Sequence, residues 1–405
     1  MKRVLMIAYH FPPMVGSSGV QRTLRFAQYL SEFGWQALVL TTHPRAYEQT
    51  GDDLLSEIPA STHVSRVFAL DTARHLSLWG RYPDWLARPD RWASWQFAAI
   101  REGMRLIRQF QPEAIWSTYP IATAHVIGHA LAARSGLPWI ADFRDPMAQD
   151  GYPPNPRTWQ AFKRIEERVF GQATLCTFTT HSAADLYRQR YPNSPVRIEI
   201  LENGYDESAF AAAEQDRTSD LPLNPGQLTL LHSGIVYPDE RDPGPLFTAL
   251  SRLTDRNRLK LRFRAPVHED LLRRLAAAHG LGDQIEILPA LPYEHALAEM
   301  LRADGLLILQ AANCNEQIPA KLYEYLRAHK PILALTEPHG DTGRQLAAAG
   351  IDAITPLNDA TAIAALLARF IQHPSLGTLP DSVAIASCSR RERTRQLAGY
   401  LDQLQ

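Results

Sequence analysis

The chain has 405 residues, more than one ordinary hydrophobic core accommodates, so two domains are expected. Its 42 Lys and Arg balance 43 Asp and Glu, which leaves no net field that would demand nucleic acid. Cys176, Cys314 and Cys388 are few and far apart; they supply neither a disulfide framework nor a metal spacing, and they fit a reducing cytosol.

The first apolar run, Val4 to Ala8, stops at Tyr9-His10 and reads as a strand rather than a signal peptide. A loop holding Gly16 and Gly19 follows, then a helix over Thr23–Leu30 closed by Gly34, and a second strand over Ala37–Thr41. This is a βαβ unit of the doubly wound kind, but its glycine spacing is not G-x-G-x-x-G, so a dinucleotide cofactor is not expected. Residues 44–96 break the alternation. Within them Arg81 to Trp95 combine three tryptophans with three arginines; a packed loop is expected, with contact at a membrane interface left open.

Regular alternation resumes with a helix over Gln96–Phe110, a strand over Ala114–Ser117, a helix over Ala122–Ser135 and a strand over Pro138–Ala141. That strand runs out into Asp142-Phe143-Arg144-Asp145-Pro146. Such a cluster just past a strand end lies where open α/β sheets carry their sites. Arg144 either pairs with one of the two aspartates and fixes the loop, or binds phosphate. A helix over Trp159–Phe170 and strands over Thr174–Phe178 and Val196–Ile200 complete the first half, which ends in a tight turn at Asn203-Gly204.

Residues 211–227 read as a polar linker. The second half then alternates from the strand Leu228–His232, through a loop with Gly234 and Arg241, to strands over Leu259–Phe263, Ile285–Leu288, Gly305–Leu309 and Ile332–Leu335. Helices separate them over Pro245–Leu253, Leu271–His279 and Glu294–Leu301. Pro319 suits the first position of the next helix, which ends at Lys330-Pro331, because its missing N–H would be unpaired there anyway. The loop Ala311–Ile318 therefore opens at the carboxyl edge of a sheet, onto a helix N-terminus suited to phosphate. Glu316 and Glu324 bracket that turn. They are either two solvated acids or ligands for sugar hydroxyls beside a diphosphate. Helices over Asp341–Ala349, Ala360–His373 and Arg390–Leu404 close the chain.

Glu316 and Glu324 have seven residues between them, and the run Ile318-Pro-Ala-Lys-Leu-Tyr-Glu-Tyr-Leu326 continues the pattern. This resembles the E-x7-E element of retaining glycosyltransferases of the GT-B fold, family 4 (glycosyltransferase group 1). Asp142-Phe-Arg-Asp-Pro146 and Asn203-Gly-Tyr-Asp206 are similar to motifs of one branch. The resemblance implies two Rossmann-like domains facing a central cleft: 1–205 on the acceptor side, 206–385 binding the nucleotide sugar, and 386–405 a helix returning to the first domain. It implies sugar transfer from a UDP- or GDP-sugar to a hydroxyl of a saccharide or lipid-linked saccharide, with retention and without metal or other cofactor. A sugar-nucleotide epimerase, or a silent binding subunit, is the alternative.

By the same resemblance, Gly16 and Gly19 approach the donor diphosphate. Gly234 and Arg241 match the family's glycine and phosphate-binding basic residue, while Ile235 stands where a second basic residue often sits. Glu316 lies by the donor sugar and Glu324 by the ribose. Leu291 offers its backbone to the base, and Ile318, Pro319, Ala320 and Lys321 line the donor loop. Arg144 stands where the family commonly has a histidine, and Asp145 is placed to orient the acceptor. Arg241, Glu316, Arg144 and Asp145 are thus the catalytic candidates. A cytoplasmic setting is expected, with peripheral contact at the inner membrane face left open and no nucleic-acid partner.

Overall fold

The computed structural model describes residues 1–15, 17–215, 221–375, 379–380 and 382–404. The chain divides into two compact units, Met1–Asn203 with Arg390–Gln405, and Gly204–Ser389.

The first unit is built on seven parallel strands: β1 Lys2–Ile7, β2 Trp35–Thr42, β3 His63–Val67, β4 Ala114–Thr118, β5 Trp139–Arg144, β6 Leu175–Phe178 and β7 Arg197–Ile200. Their spatial order is β3-β2-β1-β4-β5-β6-β7. The central strands are buried on both faces, which is why Val4-Leu-Met-Ile7 and Ala37-Leu-Val-Leu40 are apolar without alternation. The helix Arg390–Asp402 packs Leu397, Ala398 and Leu401 into the same cluster as Val4, Met6 and Leu24. Ion pairs of Lys2 with Asp402 and Arg391 with Glu32 flank it.

Six parallel strands make the second unit: β8 Leu228–Ser233, β9 Leu259–Arg264, β10 Ile285–Leu288, β11 Gly305–Leu309, β12 Ile332–Leu335 and β13 Ile354–Thr355, ordered β10-β9-β8-β11-β12-β13. In each sheet the order reverses once, between β1 and β4 and between β8 and β11. The carboxyl ends of those four strands are the topological switch points where open α/β sheets bind ligands.

Four local expectations are corrected. The cluster after Ala141 is not a loop: β5 runs through Arg144, with its register shifted between Asp142 and Arg144 and Arg144 at φ 63°. Neither Asn203 nor Gly204 takes a positive φ, so the segment is not the tight turn their identities suggest. The polar stretch from 211 begins inside a helix, Glu207–Glu214, capped by Asp206; residues 216–220 lie outside the described residues. The helix expected from Pro319 starts at Lys321 instead. Pro319 instead lends its carbonyl to Leu322 N–H at 2.9 Å, and the helix ends at Ala328 with His329 left-handed.

Candidate active site

The carboxyl ends of β8 and β11 meet the start of the helix Lys321–Ala328, and there the second unit gathers its cations. His232, near the end of β8, is buried. Its Nδ1–H donates to the Leu307 carbonyl at 2.9 Å, which leaves the Nε2 lone pair to accept from Lys321 Nζ at 3.1 Å. Burial, then the Lys321 charge, holds the imidazole neutral, well below its ordinary pKa. Burial, then Arg241, holds the Lys321 ammonium well below its ordinary value, with Glu324 opposing. Lys321 has no ion-pair partner among the described residues. Gly234, at φ 111°, makes room for it: a Cβ there would stand 3.1 Å from Lys321 Nζ.

Arg241 belongs to the same cluster. Its Nη1 donates to the Ile235 carbonyl at 2.7 Å, and the guanidinium lies over the Tyr237 ring at 5.0 Å. The Ala311 N–H donates to the Glu240 carbonyl at 2.8 Å, which ties the loop after β8 to the loop after β11. Lys321, the neutral His232 and Arg241 thus bring two basic side chains together with no carboxylate in ion-pair contact among the described residues, an arrangement that could take an anion. The Ala320 and Lys321 N–H groups donate to no backbone carbonyl among the described residues, as expected at a helix start open to such a ligand.

Glu324 lies in the first turn of that helix, half-buried. Its Oε1 accepts from the Tyr293 hydroxyl at 2.9 Å, so the carboxylate is held by a neighbouring side chain rather than by Lys321. Glu316 is exposed on the turn after Ala312–Cys314. The loop that carries it is fixed from beneath. Gln310 Nε2 donates to the Cys314 and Gln317 carbonyls at 2.6 and 2.9 Å, and Thr342 Oγ1 donates to Gln317 at 3.0 Å. Ile318 is buried, while Pro319 and Ala320 are half-buried at the helix start. Leu291 lines a hollow of about 330 Å³ shared with Leu223, Arg262, Arg264, His295 and Arg302.

In the first unit, Asp142 is the anchor. Arg22 donates to it twice, Nε to Oδ2 at 3.0 Å and Nη2 to Oδ1 at 2.8 Å; Thr118 and Thr177 hydroxyls complete its shell at 2.8 Å each. Burial alone would raise this carboxyl, but Arg22 brings it below the ordinary value. Arg144 therefore has no salt bridge to either flanking aspartate, and the ion-pair reading is set aside. Among the described residues its Nη1 reaches only the Tyr119 carbonyl, at 3.4 Å, and its buried Nε has no hydrogen-bond partner. Thr179 accounts for the Arg144 carbonyl, through its N–H and its hydroxyl at 2.9 Å each. Asp145, raised by burial against the pull of Arg144, accepts weakly from Thr179 Oγ1 at 3.4 Å.

His10 joins this group without having been singled out in the sequence. Its Nδ1 lies 3.1 Å from Ser17 Oγ, and burial, then Arg144, lowers its pKa to about 3, so it is neutral at physiological pH. Gly19 permits the approach: a Cβ would collide with His10 Nδ1 and lie 2.9 Å from Arg144 Nη1. Gly16 lies outside the described residues. His10 and His232 were both missed because a lone histidine near a strand end has no spacing partner. Only their position near the ends of the two switch-point strands could have marked them.

Residues 18–204 match a family model described as a glycosyl transferase 4-like domain. No curated protein matches the chain in sequence. Solved structures are similar over the whole length. Alr3699/HepE from Anabaena, in complex with UDP-glucose, is 12% identical with a TM-score of 0.66, covering 100% of each chain. An α,α-trehalose-phosphate synthase from Burkholderia xenovorans, in complex with glucose-6-phosphate, is 13% identical with a TM-score of 0.67, covering 99% of this chain and 100% of its own. Sucrose-phosphate synthase from Thermosynechococcus elongatus is 13% identical at 0.66, covering 99% and 95%. The fold is that of the GT-B glycosyltransferases. Residues 18–204, which match the glycosyl transferase 4-like domain, make up most of the first unit.

Proposed function

We propose that this chain is a glycosyltransferase that moves a sugar from a nucleoside-diphosphate sugar to a hydroxyl of a saccharide or lipid-linked saccharide, with retention at the anomeric carbon. The observation that carries this reading is the Lys321–His232–Arg241 cluster: two basic side chains with no ion-pair partner among the described residues, at a switch point and a helix start. A diphosphate is the ligand that answers such a site. The complexes of the similar proteins with UDP-glucose and glucose-6-phosphate support a nucleotide-sugar donor and a sugar acceptor.

In this reading the bond from the anomeric carbon to the diphosphate oxygen breaks, and a bond to the acceptor oxygen forms on the same face. The acceptor proton passes to the departing phosphate. No side-chain nucleophile is required. The developing charge on the leaving group is met by Arg241, Lys321 and the N–H groups of Ala320 and Lys321, fixed before the reaction begins. Glu324, oriented by Tyr293, takes the ribose hydroxyls; Glu316, on its braced loop, takes the donor sugar. In the first unit Asp145 is assigned to the acceptor hydroxyl and Arg144 to phosphate. The similarity to family 4 supports retention, and nucleotide sugars handled this way need no metal from the protein.

The test is a thermal-shift screen with nucleoside diphosphates. A ligand at 100 times its dissociation constant adds about 2.7 kcal/mol to stability. UDP or GDP is expected to raise Tm, and Arg241→Ala to weaken the shift. No shift with any nucleoside diphosphate would refute the donor assignment.

A further inference from the structure

The first unit carries large apolar side chains that its core does not use. Leu78 and Arg81 exchange backbone hydrogen bonds of 2.8 and 3.0 Å across a two-residue turn. Trp79 and Gly80 form its tip at φ 50° and 76°. Asn or Gly ordinarily occupies such a tip; a bulky residue is strained there. Trp79 recovers nothing by packing, since it is 93% exposed. Trp85 and Leu78 are each 67% exposed and Phe97 75%, so the expectation of a packed loop holds for the inner tryptophans, Trp92 and Trp95, and fails for Trp85.

The display is rigidly mounted. Thr72 Oγ1 donates to the carbonyls of Leu86 and Arg91, and Arg91 pairs with buried Asp71. Charge on the segment is one-sided. Arg74, Arg81 and Arg101 are exposed, and Arg81 and Arg101 have no ion-pair partner among the described residues. Of the carboxylates in 71–101, Asp71 and Asp90 are bonded inward and Asp84 faces Arg88. A projecting indole seeks a soft medium with an apolar body and polar boundary. Exposed arginines without acids select an anionic one.

We propose that this surface docks the protein on an anionic lipid bilayer, with Trp79 and Trp85 entering the headgroup region and Arg81 meeting lipid phosphates. The inference is independent of the donor site, because it is measured without nucleotide. The experiment is flotation of the full chain with phosphatidylcholine vesicles, with and without phosphatidylglycerol. Binding is expected only to the anionic vesicles, falling with added salt. The double substitution Trp79→Ser/Trp85→Ser is expected to weaken partitioning about tenfold or more, and Arg81→Glu about fivefold, with melting temperatures unchanged because these side chains hold no core. Absence of binding to anionic vesicles, or equal binding by the tryptophan variant, would overturn the proposal. Self-association abolished by Trp79→Ser, without vesicle binding, would overturn it in favour of a face between copies of the chain.

Discussion

Gly234→Ala tests the donor site where geometry is tightest, and Gly226→Ala is its control. Both glycines have positive φ, 111° and 85°. An added Cβ costs about 1–2 kcal/mol of backbone strain at either position, equivalent to a Tm loss of roughly 2–8 °C for a domain of this size. The surroundings differ. A Cβ on Gly226 meets nothing within 4 Å, whereas one on Gly234 stands 3.1 Å from Lys321 Nζ and 3.5 Å from its Cε. A lysine tip moves easily, so the crowding adds little to the stability cost. It does move the ammonium off His232 and away from the anion site. A charge-assisted bond to phosphate is worth about 1.5–3 kcal/mol, or roughly 10–150-fold in affinity. Denaturation should therefore show comparable losses for the two variants, and titration calorimetry should show nucleotide affinity falling only in Gly234→Ala. Equal nucleotide affinity in both variants would refute the placement of Lys321 at the diphosphate.

Three further outcomes follow from the same geometry. Because burial and Arg241 depress Lys321, a bound diphosphate should raise its pKa and draw in a proton. Affinity is then full below the free-state pKa and falls as pH rises through it; calorimetry in buffers of different ionisation enthalpy should show proton uptake, and identical enthalpies would count against it. Glu324→Gln should keep the fold and lose about 1.5–3 kcal/mol of nucleotide affinity; wild type should prefer ribo- over 2′-deoxynucleotide and the variant should not, whereas equal binding of both by wild type removes Glu324 from the ribose. Arg22→Met strands the Asp142 carboxylate in the core and should cost about 3–5 kcal/mol in urea unfolding; a loss below 1 kcal/mol would show that the two threonines suffice to hold it.

The architecture was legible in the chain because parallel strands buried on both faces are continuous apolar runs, and the helices between them carry their own punctuation. Val4–Ala8, Gly305–Leu309 and Ile332–Leu335 announce themselves this way. The placement of the Ala311–Ile318 loop between a strand end and a helix start was also legible, since that order is local in the chain. What depended on residues far apart in sequence was decided only by the tertiary structure. Arg144 sits between two aspartates in the chain, yet Arg22, 120 positions from Asp142, takes that carboxylate, and the guanidinium at 144 makes no salt bridge to either aspartate. His232 meets Lys321 only because β8 and the helix at Lys321 are brought together 89 residues apart. Trp85 and Trp95 belong to one aromatic stretch of sequence, but one ends in solvent and the other in the core. Composition names the groups that can pair or pack; the backbone path chooses the partner, and for a buried charge that choice separates an anchor from a ligand site.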